Sequence, residues 1–307
     1  MPLKRIGMIE IPGSAGSSFD HGAFDPKTRR IFVAHTGRDC VEVINHDAGR
    51  HIATLPGFPE AAGVVAEDGT ILVTNRGGAS LASVDALTLK TRAVFKTGPR
   101  PNGVAIVSQR GLAIVACIGD TTHGPTLEVL NLDGSQHHSL ELPGRPRWCV
   151  TAAAAARVFL AIREPSMILV AALPKLDQVD HWKLPVDGAH GLDIDHQRGR
   201  LYAACDDAAL IEVYIGSGKV TNQWPIAGAP DVTFVNPTTG LVHVAIGEPG
   251  LVQSIDVRTS ASTQAPTAAG AHTTALVPPD RLYVFSPSQG AALVLVDTGA
   301  EERSPSA

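Results

Sequence analysis

One phrase returns along this chain at a nearly constant interval, and it limits the possible folds more than any other feature. Its fullest form is Gly188-Ala-His-Gly-Leu-Asp-Ile-Asp-His-Gln-Arg-Gly-Arg-Leu-Tyr-Ala-Ala-Cys205: a short run, a tight polar turn, then an apolar run. His21-Gly-Ala-Phe-Asp before Arg30-Ile-Phe-Val-Ala has the same form. So do Asn102-Gly-Val-Ala-Ile before Leu112-Ala-Ile-Val-Ala, and Asp231-Val-Thr-Phe-Val before Leu241-Val-His-Val-Ala. Aligned at the start of each first run, the anchors are His21, Ala62, Asn102, Trp148, His190, Asp231 and His272. The steps between them are 41, 40, 46, 42, 41 and 41 residues. Runs this short, apolar and bounded by turn residues are strands. A period near forty made of strands means propeller blades of four strands each.

The last unit tests this reading from within. It supplies three strands, at residues 274–277, 281–285 and 292–296, and then the chain turns polar. The missing outer strand stands at the other end, in residues 4–11. Docking it there closes the structure and covers an exposed strand edge. The expected fold is all-β, a seven-bladed β-propeller of four-stranded blades in one domain, 1–307. Blades begin near 20, 61, 101, 147, 189, 230 and 271. Residues 1–12 complete blade 7, and 298–307 form a polar tail.

Composition narrows the partners. The net charge is −5 without a basic block, which argues against nucleic acid or an anionic membrane. The start has neither a long apolar core nor a small-residue cleavage site, and no run is long enough to span a bilayer, so the expectation is a cytoplasmic protein. Cys40, Cys117, Cys149 and Cys205 show no CxxC spacing and read as buried apolar side chains in a reducing compartment. No GxSxG elbow, Walker loop or CxxCH haem site is present. Aromatic residues are 5% of the chain, too few for a broad peptide- or base-stacking face.

The phrases Phe24-Asp-Pro26 with Ile31-Phe-Val-Ala34, and His190-Gly-Leu-Asp-Ile-Asp195 with Gly199-Arg-Leu-Tyr-Ala-Ala204, carry a resemblance to the YVTN/YncE-like seven-bladed propellers over essentially the whole chain. That resemblance implies the fold. It leaves function open, because the superfamily includes binders, lactonases and lyases. Pro101-Asn102-Gly103 is similar to a segment of gluconolactonase-like propellers whose Asn helps hold a divalent ion. The chain departs from that group in its seven units and its His-rich anchors, and Pro-Asn-Gly is also a good turn.

In a propeller the inner strands start at one mouth, so the anchors are expected there together. Blades 5, 6, 7 and 1 carry His190, Asp231, His272 and His21. Seven positions drawn at random would hold about 0.3 His, and three are present. Imidazole and carboxylate are ligands for Zn, Fe, Mn or Ca, and an open position on such an ion activates water. Loops after the second strands add His35, which with Glu60 is a candidate proton carrier. Arg76, Asn102, Trp148 and Arg163 are candidates for binding a small-molecule substrate. The reading is a metal-dependent hydrolase of lactonase or esterase type, or a lyase. The alternative is a non-catalytic YncE-like scaffold that binds a ligand or a protein around a water-lined channel.

Overall fold

The computed structural model describes residues 3–152, 154 and 156–298. The expected polar tail lies outside the described residues apart from Thr298. The fold is an all-β seven-bladed propeller with four antiparallel strands per blade. Blades 1 to 6 span residues 22–56, 61–96, 101–141, 146–183, 189–225 and 230–266. Blade 7 takes residues 273–297 and, as its fourth strand, Leu3–Glu10. No helix among the described residues is long and apolar enough to cross a membrane.

Local chemistry sets the hairpins. A residue in the left-handed region stands just before the second strand in six blades: Arg29, Gly69, Gly111, Ala156, Gly199 and Gly240. Positive φ turns the chain tightly enough to return as an antiparallel strand. Within a blade, burial falls from the second strand to the fourth. Ile31, Phe32, Val33 and Ala34 of blade 1 are all 0% exposed, whereas its outer strand, Arg50–Pro56, is largely open to solvent. Strands covered on both faces read as continuous apolar runs, and this is why the second strand was the clearest signal in the sequence.

The chain forms two compact units. One is Ser18–Ala189, with blades 1 to 4; the other joins the segment up to Ser17 with the chain from His190 onward. In the first, cores lie between successive blades: Phe32, Val43, Val64 and Ile71 in one, Ile114, Leu127, Leu160 and Leu169 in another. In the second, Tyr202, Leu210, Val242 and Ile246 form one core, and Leu3, Val252, Leu282, Val284 and Leu293 the next. Each such side chain contributes roughly 1.5–3 kcal/mol when fully buried. Leu3–Glu10 pairs with Ala291–Asp297 from Leu3↔Asp297 to Glu10↔Ala291. Leu3 and Ile9 turn inward, while Ile6 and Met8 face solvent.

Pairing register corrects two of the anchors. Counting two residues back from the inner-strand partner of Val33, Val73, Val115, Leu160, Val244 and Val284 gives Asp20, Ala62, Asn102, Arg147, Asp231 and His272. In blades 1 and 4 the equivalent residues are therefore Asp20 and Arg147, not His21 and Trp148. The slip arises because the steps between blades vary from 40 to 46 residues, so spacing alone cannot tell neighbouring residues apart where pairing register can.

Pro101-Asn102-Gly103 is not a turn. It opens the inner strand Pro101–Val107. Gly103 is required because a Cβ there would lie 2.3 Å from the carbonyl oxygen of Arg147 on the next inner strand. Gly63 meets the Asn102 carbonyl in the same way, and Gly191 that of Asp231. The glycine after the anchor is the point where neighbouring inner strands touch.

Candidate functional site

In the unit holding blades 5 to 7, the starts of three inner strands bring three titratable side chains into line, and a fourth joins them from the loop after a second strand. His190 is second in Ala189–Asp195, Asp231 is second in Pro230–Val235, and His272 immediately precedes Thr273–Val277. Asp206, just past the second strand of blade 5, completes the set. Nδ1 of His190 lies 2.8 Å from Oδ1 of Asp206, and its Nε2 lies 3.4 Å from Oδ1 of Asp231. The other Asp231 oxygen, Oδ2, lies 2.6 Å from Nδ1 of His272. Asp231 thus stands between two imidazoles, with one on each oxygen.

Exposure gives this row a direction. The His190 side chain is 15% exposed, Asp231 27% and His272 35%. His272 borders a cavity of about 350 Å³ with Asp231, Glu248, Ala229, Pro230, Gly247 and Gly270. Gly247 packs directly behind His272: a Cβ there would sit 3.3 Å from the His272 Cβ. The arrangement has an imidazole and a carboxylate at a cavity wall, with an imidazole–carboxylate pair joined to that carboxylate. Such a row positions a ring and steadies the charge it gains on taking a proton. Deeper in blade 5, burial pushes the Asp193 carboxyl up to about 7, partly offset by the backbone N–H groups of Val235 and Ile194 that it accepts.

The other unit holds a second imidazole–carboxylate pair. Nδ1 of His21 lies 2.5 Å from Oδ1 of Asp20, and the His21 ring stacks on Trp148 at 3.8 Å with an interplanar angle of 2°. Arg76 joins Asp20 Oδ2 at 2.8 Å and also donates to the Asn102 side-chain oxygen. Asp20, His21, Arg76, Asn102 and Trp148 therefore form one contact group. Arg163 lies just past the second strand of blade 4, its backbone N–H donating to the Arg145 carbonyl. Glu60 is exposed, with φ +46, and its backbone N–H donates to Asp39.

His35 is not a loop residue. It ends the strand Arg30–His35, and its side chain is wholly buried, stacked on Phe19 at 4.5 Å. Its Nδ1 lies 2.8 Å from Oε1 of Glu42, which also accepts the Cys40 thiol at 3.4 Å. Oε2 of Glu42 faces Nε2 of His51 at 2.7 Å and the Thr54 hydroxyl at 2.6 Å. Burial alone would raise the Glu42 carboxyl; the donors His35, His51, Thr54 and Cys40 outweigh it and hold the group well below the usual carboxylate range. His35, Cys40 and Glu42 are, among the described residues, the His/Cys/Asp/Glu group whose ligand atoms all lie within 4.8 Å of one another. All four cysteines are buried and free, and burial pushes the Cys40, Cys117 and Cys149 thiols up to about 12, which makes them unreactive.

Two residues escaped the sequence reading as partners of the expected ones: Asp20 sits beside His21, and Glu42 faces inward from the third strand of blade 1. Only Asp20 had an adjacent signal, and the register slip concealed it.

No protein-family profile matches the chain, and no curated protein matches it in sequence. Solved structures do match it along nearly its full length. A streptogramin B lyase is 10% identical with a TM-score of 0.79, covering 96% of this chain and 97% of that one. A hydrazine synthase of Kuenenia stuttgartiensis is 12% identical with a TM-score of 0.78, covering 94% and 97%. The virginiamycin B lyase of Staphylococcus aureus is 11% identical with a TM-score of 0.77, covering 96% and 99%. At these identities the likeness is one of fold.

Proposed function

We propose that this propeller is an acid–base enzyme acting on a small molecule, of the lyase type, with His272 as the base. The observation that carries the reading is the row Asp206–His190–Asp231–His272 ending at a cavity wall. His272 takes a proton from a carbon next to a carbonyl. The electron pair left behind forms a carbon–carbon double bond, and the bond from the adjacent carbon to an ester or lactone oxygen breaks. Glu248, on the same cavity wall, returns a proton to the leaving oxygen. Asp231 balances the charge of the imidazolium, and His190 with Asp206 holds Asp231 in place. Two of the similar folds belong to proteins named as lyases, which supports this class over others.

The same residues were expected to hold a divalent ion. The geometry favours proton transfer, because Asp231 addresses the two imidazoles through opposite oxygens instead of sharing one point with them. The Asp20–His21 pair on Trp148 is a second imidazole–carboxylate pair of the same kind and belongs in the same mutational panel.

The test is a panel of lactones and cyclic esters followed by mass spectrometry. Elimination opens the ring at unchanged mass; hydrolysis adds one water and would assign the hydrolase alternative. His272→Ala is expected to lower kcat by roughly 10²–10⁴-fold, with Asp231→Asn next. Turnover by His272→Ala within threefold of the parent chain would overturn the assignment. A panel without turnover would favour the YncE-like binding scaffold.

A further inference from the structure

Arg76, in the first of the two units, is not used by the proposed reaction. It is the first residue past the second strand of blade 2, the place that Asp206 holds in blade 5. The anchor of its own blade is Ala62, which has no polar side chain to meet it. Arg76 therefore reaches sideways to the anchors of both neighbours. Its Nη2 donates to Oδ2 of Asp20 in blade 1 at 2.8 Å and to the side-chain oxygen of Asn102 in blade 3. The frame around it is tied. The His21 backbone N–H donates to the Ala62 carbonyl at 3.1 Å, and the Thr74 hydroxyl to the Asn102 carbonyl at 2.8 Å.

These partners match the guanidinium only in part. An arginine head carries about five N–H donors. Arg76 spends those of Nη2. Its Nε is enclosed with no acceptor, and Nη1 donates to none of the described residues. The side chain is 20% exposed, too little for water to serve it all round. Donors left open on a buried charge are costly, and an acceptor arriving from outside relieves that cost. Asp20 also divides its carboxylate, with Oδ2 on Arg76 and Oδ1 on Nδ1 of His21 at 2.5 Å. One carboxylate thus serves a guanidinium and an imidazole together.

We propose that Arg76 binds the carboxylate of a small molecule, with Asp20 and Asn102 holding the guanidinium in place. Nε is enclosed, so Nη1 is the end that receives the ligand. The planar guanidinium matches the two oxygens of a carboxylate and meets them with charge-assisted N–H···O bonds. Asp20 already answers part of the charge of Arg76, so one further negative charge fits better than the two of a phosphate. The His21 ring, stacked on Trp148 at 3.8 Å, gives the body of the ligand a flat neighbour, which favours a planar acid. The group shares no residue with the row of blades 5 to 7, so the proposal does not rest on the acid–base reading.

The test uses no turnover. The probe is benzoate, with benzamide as its neutral counterpart of the same shape, titrated into the full chain by calorimetry. Benzoate is expected to bind about tenfold tighter or more. The chain has three tryptophans, so their indole N–H signals separate by NMR, and Trp148→Phe identifies one of them. That signal should move with benzoate while those of Trp182 and Trp224 stay. Arg76→Gln should weaken benzoate by about tenfold or more, and His272→Ala should bind it like the parent. Equal affinity for benzoate and benzamide in the parent chain would overturn the proposal, a result that holds even if Arg76→Gln fails to fold. So would parental affinity in Arg76→Gln, or loss of binding in His272→Ala. Inorganic phosphate that binds tighter than benzoate would overturn the choice of a carboxylate.

Discussion

Replacing Gly191 by alanine tests how the inner-strand packing sets the candidate site. The new Cβ would stand 2.3 Å from the Thr233 hydroxyl and 2.4 Å from the Asp231 carbonyl oxygen. Ordinary contact begins near 3.4 Å, so the gap is short by about 1 Å. The hydroxyl can rotate away. The carbonyl cannot, because it belongs to the backbone of Pro230–Val235. That strand must move, and the Asp231 carboxylate moves with it. Overpacking of this kind costs roughly 1–3 kcal/mol. The upper part of that range is expected here, because the obstacle is main chain. Displacing a positioning group by about 1 Å lowers turnover on the order of 10²-fold. Urea denaturation should show an earlier midpoint at unchanged slope. Gly124→Ala is the control: nothing lies within 4 Å of its Cβ position, and it should stay within about 0.5 kcal/mol of the parent. Gly191→Ala that unfolds at the parent midpoint would refute the packing argument and the route from it to Asp231.

Two further outcomes are expected. The Asp193 carboxyl is raised from 3.8 to about 7, so the folded state keeps a proton that the unfolded chain releases between those values. Stability should therefore fall as pH rises from 4 to 7, by on the order of 3–4 kcal/mol at most. Urea midpoints across this range should decline in the parent and flatten in Asp193→Asn; parallel curves would contradict this. Removing the strand Leu3–Glu10 exposes the edge of Ala291–Asp297, strips Leu3 from the last core and removes the buried Ile9. At roughly 1.5–3 kcal/mol each, that loss should lower Tm by about 10 °C and promote aggregation, seen by calorimetry and light scattering.

The blades were legible because their signals are local. Each has an apolar run buried on both faces and a nearly constant interval to the next, and six have a left-handed turn residue before that run. The outer strand of blade 7 was legible because an unpaired edge in the last unit had to find a partner. The candidate site was only partly legible. His190, Asp231 and His272 lie where strand spacing placed them, but spacing counts residues whereas pairing counts register. The intervals between blades vary by several residues, so spacing picked His21 and Trp148, each one residue from the register equivalents Asp20 and Arg147. His35 was misread for another reason. It closes a strand, and the residues that enclose it arrive from two other strands. Cys40 and Glu42 alternate with valines along one strand, and only lateral pairing shows that Glu42 meets His35.

The pairing of Leu3–Glu10 with Ala291–Asp297 has a consequence for the order of events on the ribosome. Leu3–Glu10 is made before the six other blades and its mate after them, so it must wait through their synthesis. A nascent chain can bury its early blades one after another, but this seam is sewn only once Ala291–Asp297 has been made and has left the tunnel, and the interval is when a holding chaperone would matter most.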